Sequence, residues 1–177
     1  MRALLILSVT VLLGTGCSTG QEPAANASPS ARPPAVSPPP GARVVPGGCG
    51  STKVFEDSVP AWIDVATAHN TPRVPYVLAV EGTAVGLIFV SPMRAGHPEN
   101  PSNKVIWAVR VLRDRSPLEI TGHPLATTRP SIRQTVQAGV PAEGNIYRSI
   151  VDVPNPGCWH FDLSWNGQHA AVELEYQ

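Results

Sequence analysis

The sequence predicts an all-β domain of the sandwich class, and three observations carry that prediction. Trp159, Phe161, Leu163 and Trp165 alternate with His160, Asp162 and Ser164, the period of two that marks a half-buried strand. Asn166-Gly167 follows at once, the strongest short-range signal for a two-residue type I′ hairpin turn. Upstream, from about residue 49, short β-rich runs are separated by Pro and Gly turns with no sustained helical period, the pattern of sandwiches rather than of α/β folds.

The N-terminus reads as an export signal. Met1-Arg2 is a short positive start, and Leu4 to Leu13 is an apolar run. A membrane-spanning helix needs about 20 apolar residues, so this run is too short to span and has the length of a signal-peptide core. It ends in Gly14-Thr15-Gly16-Cys17, which resembles the lipobox of bacterial lipoproteins. That resemblance implies cleavage after residue 16, lipidation of Cys17, and localisation as a lipid-anchored protein on the extracytoplasmic face of the cell membrane. Gly14 stands where that family usually has Leu. An acyl chain contributes about 0.8 kcal/mol per buried CH₂, so two chains hold firmly where one does not.

Residues 17–48 read as the anchor cysteine followed by a disordered tether. The stretch is rich in Ala, Pro and Ser with almost no large apolar residue, and it cannot offset its ordering entropy by burial. Pro33-Pro34 and Pro38-Pro39-Pro40 favour extended polyproline II at about 3.1 Å per residue. High Ala, Pro and Arg usage suits a GC-rich genome such as an actinobacterium's.

Residues 49–177 form the predicted sandwich. Pro75 to Val80 and Ala84 to Val90 flank Glu81-Gly82-Thr83 as a hairpin. Val105, Trp107, Val109 and Val111 alternate in a strand whose second face is mixed, which suits a central position. Leu118 to Thr121 and Ile146 to Val153 are further strands, and Pro154-Asn155-Pro156-Gly157 is a turn into the last hairpin. Pro60 to Ala68 and Ser131 to Ala138 each read as a helical turn or short helix. The two-residue turn pairs Trp165 with Gln168, Leu163 with Ala170, Phe161 with Val172 and Trp159 with Leu174 on one face. On the other it pairs Ser164 with His169, Asp162 with Ala171, His160 with Glu173 and Cys158 with Glu175. A one-residue slip would reverse every side chain.

With Cys17 lipidated, Cys49 and Cys158 remain, an even pair in an oxidising compartment, and they are predicted to be bonded. Gly157-Cys158-Trp159 with its hairpin, and Asn103-Lys104-Val105-Ile106-Trp107, are similar to bacterial lipoproteins that carry an immunoglobulin-like β-sandwich. The resemblance implies fold and location and transfers no catalytic residue.

Candidate chemistry is sparse. His160, Asp162, His169 and Glu173 share one face of the hairpin and could bind Zn²⁺ or Cu²⁺. The same residues also read as a solvated sheet face with one His–Glu pair worth about 0.2–1 kcal/mol. Met93, His97, His69 and His123, placed in loops, are a weaker copper set. Trp62 either caps the open end of the sandwich or lines a binding surface. No nucleophile elbow, phosphate loop or zinc-protease motif is present, and no cofactor motif. Thirteen basic against thirteen acidic residues give no electrostatic ground for a nucleic-acid partner. The expectation is a non-enzymatic, membrane-anchored binding or structural module facing an envelope protein or glycan, with metal binding as the alternative.

Overall fold

Period-two alternation gives a strand one apolar face, and that face must be covered. The chain covers it by folding into two antiparallel sheets. The computed structural model describes residues 37–66, 72–79, 82–110, 115–139 and 146–177. The export segment, Cys17 and His69 lie outside the described residues. In chain order the elements are β1 (Arg43–Val45), β2 (Val54–Glu56), α1 (Ala61–Ala66), β3 (Tyr76–Leu78), β4 (Ala84–Ile88), β5 (Lys104–Val109), β6 (Leu118–Pro124), β7 (Ile132–Val136), β8 (Ile146–Ile150), β9 (Gly157–Trp165) and β10 (Gln168–Tyr176). One sheet has the order β1-β2-β3-β4-β5-β8, the other β10-β9-β6-β7.

The terminal hairpin has the register its turn dictates. Trp165 pairs with Gln168, His160 with Glu173, and Cys158 with Glu175. Asn166 and Gly167 have φ of 41° and 71°, the positive values a type I′ turn requires. Trp159, Phe161, Leu163, Trp165, Val172, Leu174 and Tyr176 are buried against Val77, Val105, Trp107 and Val109 of the facing sheet. Each fully buried side chain of this size contributes about 1.5–3 kcal/mol. Trp107 is sealed by its Nε1–H donating to Ser149 Oγ at 3.0 Å, so no polar atom of the indole is left unpaired.

β5 lies between β4 and β8, the interior position its mixed second face predicts. That second face is apolar because α1 packs on it. Ile63 joins Phe55, Tyr76, Leu78, Val85, Leu87 and Ala108 in a second buried cluster, with Trp62 half-buried against it. Trp62 therefore packs on the outer face of the six-stranded sheet.

Two segments differ from the sequence expectation. Ser131 to Ala138, read as a helical turn, contains β7, an edge strand on β6 whose Ile132, Gln134 and Val136 are half-buried and whose Arg133 and Thr135 are exposed. Order also begins before Cys49. Arg43–Val45 pairs with Val54–Glu56, and Arg43 donates to Glu56 at 2.8 Å and to Asp57 at 3.4 Å. Residues 47–49 then run along the free edge of β10. Glu175 N–H donates to Gly47 O at 2.9 Å and Cys49 N–H to Glu173 O at 3.3 Å. Covering an edge in this way removes a template for intermolecular pairing.

Candidate metal centre

Three strands carry the site on the outer face of the four-stranded sheet. β6 pairs with β9 and β9 with β10, so His123 lies opposite His160 and His160 opposite Glu173. The row His123–His160–Glu173 thus crosses the sheet at one level. Alternation puts Asp162 one rung further along the same face and Cys158 one rung back.

His123 Nδ1 lies 2.9 Å from both Pro124 O and Thr127 O. Both partners are carbonyls and can only accept, so Nδ1 carries the proton and Nε2 of the neutral ring keeps its lone pair. His160 is held between two carboxylates, with Nδ1 3.5 Å from Glu173 Oε1 and Nε2 3.3 Å from Asp162 Oδ1. A neutral His160 that donates Nδ1–H to Glu173 turns its Nε2 lone pair toward Asp162. A cation between that lone pair and the carboxylate, either a proton or a metal ion, completes the contact.

The two imidazole rings are tilted by 30° with centroids 5.3 Å apart. One ligand atom each from His123, His160 and Asp162 lies within 4.8 Å of the others. Tetrahedral Zn²⁺, with bonds of about 2.0–2.2 Å, wants its ligand atoms roughly 3.4 Å apart. The His160–Asp162 separation already meets this, and the exposed Asp162 side chain is free to adjust. Two imidazoles and one carboxylate suit Zn²⁺ or Cu²⁺ and leave a position open to solvent.

Glu173 acts one step back. Its Oε2 accepts from Ser51 N–H at 2.5 Å and from Ser51 Oγ–H at 3.1 Å. Burial raises its pKa, but the two Ser51 hydrogen bonds and His160 outweigh that and hold the carboxyl below its ordinary value. Glu173 is therefore an ionised acceptor that orients His160, the arrangement in which a carboxylate fixes the ring of a ligating histidine. Ser51 reaches it because Cys49 is bonded to Cys158, which draws the loop over β10. Gly50 sits at φ +55° where a Cβ would overlap the Glu173 carboxylate.

Of the four residues the sequence singles out, the structure brings His160 and Asp162 together and sets Glu173 behind them. His169 is not in the group. It pairs with Ser164, four residues along β10 from Glu173, which at about 3.4 Å per residue is some 14 Å away. His123 takes its place. Leu118 and Ile120 bury one face of β6, and the same alternation carried two residues beyond Thr121 puts His123 on the other. The second copper set does not assemble among the described residues. Met93 is buried in the core, and His97 faces Asp152 at 3.9 Å. Comparison of the chain with protein-family models, with curated proteins and with solved structures finds no match in any of the three.

Proposed function

We propose that this protein is an extracytoplasmic metal-binding module, holding Zn²⁺ or Cu²⁺ through His123, His160 and Asp162. One observation carries the reading: His123 Nδ1 faces two carbonyls, which leaves its Nε2 lone pair free, and His123, His160 and Asp162 each bring a ligand atom within 4.8 Å of the others. In this reading the domain is immunoglobulin-like, the lipid on Cys17 anchors it to the membrane, and the tether presents it outward. It is a binding protein and not an enzyme, since the site lies on an open sheet face and not in a cleft that encloses a substrate. Among the described residues the exposed large apolar ones, Val44, Leu125 and Ile150, lie on three separate parts of the chain. That scatter gives a protein-docking face less support than the ordered histidine pair gives a metal.

Competition against a chromophoric chelator tests the site in the full chain, purified in detergent. One Zn²⁺ or Cu²⁺ per chain should bind, and His123→Ala should weaken it by at least about 100-fold while His169→Ala leaves it unchanged. No binding, or equal affinity in the His123 variant, overturns the assignment. Metabolic labelling with a fatty-acid analogue tests the anchor, which requires label on the wild type and none on Cys17→Ala.

A further inference from the structure

We propose that the Cys49–Cys158 disulfide sets the affinity of the metal site, so that the site senses the thiol redox state of its surroundings; this rests on the metal-binding reading above. The link is a continuous chain of contacts. Cys158 and His160 project from the same face of β9, one rung apart. The disulfide holds Cys49 there, 109 residues away in sequence. From Cys49 the loop turns through Gly50 and lays Ser51 and Thr52 against β10. Ser51 donates twice to Glu173 Oε2, and Glu173 N–H donates to Thr52 Oγ1 at 2.8 Å. With Oε2 so occupied, Oε1 is the oxygen presented to His160 Nδ1.

Nothing else in the described contacts of the Glu173 carboxylate comes from outside this loop and His160. When the loop leaves, Glu173 loses both donors that fix it and turns freely, and the orientation of the His160 ring is lost with it. Outer-shell partners of this kind are worth about 10–100-fold in metal affinity. Both cysteines are half-buried and so within reach of a small reductant. A dithiol reductant attacks one sulfur through a mixed disulfide. Two electrons and two protons reach the Cys49–Cys158 bond, leaving two thiols, and the reductant departs as its own disulfide. Release of the bond frees residues 50–52, with the Thr52 contact to the Glu173 backbone, while residues 47–49 stay paired to β10 through their own backbone bonds.

The test measures Zn²⁺ affinity of the full chain for the wild type, Cys49→Ala/Cys158→Ala, Ser51→Ala and Ser51→Thr. Alanine at both cysteines opens the loop without adding thiol ligands. It should weaken binding by about 10-fold or more. Ser51→Ala keeps the disulfide and should weaken it by about threefold to tenfold, the worth of one hydrogen bond. Ser51→Thr, which keeps the hydroxyl, should restore wild-type affinity. Near-UV circular dichroism of the buried tryptophans establishes that each variant is folded; if the double variant is not, Ser51→Ala and Ser51→Thr decide. A wild type that binds Zn²⁺, with all variants within twofold of it, overturns the coupling and leaves the metal site standing. A wild type that binds no metal overturns both.

Discussion

Opening the Cys49–Cys158 bond tests the energetics of the fold as well as its site. The bond closes a loop of 109 residues. Loop-closure entropy for a loop of that length is about 16 cal/mol/K, or about 4.8 kcal/mol at 25 °C. Little of this is offset in the native state, because residues 47–49 stay on β10 through the backbone bonds of Cys49 and Glu175 and only residues 50–52 are freed. Replacing both cysteines by Ala should therefore destabilise the domain by about 4–5 kcal/mol, chiefly by releasing the unfolded chain. With a urea m-value of about 2 kcal/mol/M for a domain of this size, the midpoint should fall by roughly 2–2.5 M. Tryptophan fluorescence reports the transition, since Trp107, Trp159 and Trp165 are all buried. A loss below about 1 kcal/mol would contradict a bond that acts by constraining the unfolded chain. It would mean that the two cysteines are held together by something other than the bond, in the unfolded chain as well as the folded one.

Further consequences follow from the core and its titrating groups. A Cβ built on Gly122 meets Phe161 Cδ1 at 2.6 Å and Ile132 Cγ1 at 3.1 Å, so Gly122→Ala should cost about 1–3 kcal/mol by overpacking. Thermal unfolding reads this, and an unchanged midpoint would show that the Phe161 and Ile132 side chains have room to give way. Burial pushes the Tyr76 hydroxyl up to about 12 and that of Tyr176 well above its ordinary 10.0. A raised pKa means that the folded state keeps its proton where the unfolded chain has lost it. Stability contributed by these tyrosines is therefore complete below about pH 10 and is lost as pH rises through 10 toward 12. Absorbance at 295 nm should show tyrosinate appearing together with unfolding. Tyrosinate from Tyr76 and Tyr176 near pH 10 in a folded domain would contradict their burial.

The terminal hairpin is legible in the sequence because its signals are local: the Asn166-Gly167 turn sets the register and the alternation independently agrees with it. The parts that are not legible depend on distant partners. Arg43–Val45 is three residues in a proline-rich stretch, and only its pairing with Val54–Glu56 makes it a strand. β7 has polar Gln134 in its inward series, which weakens the alternation, and its strand character comes from β6 alongside. His123 is hidden for a related reason. Gly122 and Pro124 lack strand propensity, yet Gly122 is the residue that fits beneath Phe161. His160, Asp162 and Glu173 share a face by local arithmetic. The third metal ligand comes from β6, whose pairing with β9 no local pattern specifies. His169, on the right face, is displaced along the strand by the same register that places the others.

Imidazole ¹H–¹⁵N correlation spectroscopy reads directly whether His123 and His160 are held ready to ligate a metal ion through Nε2. Recorded without metal and with one equivalent of Zn²⁺, the spectra distinguish each ring's protonated nitrogen and its ligated one. Metal-free His123 should be protonated at Nδ1. Zn²⁺ should shift the Nε2 resonances of His123 and His160 while those of His97 and His169 stay in place. A proton on His123 Nε2 in the metal-free protein, or a Zn²⁺ response at His97 or His169 with none at His123 and His160, would contradict the metal-site assignment.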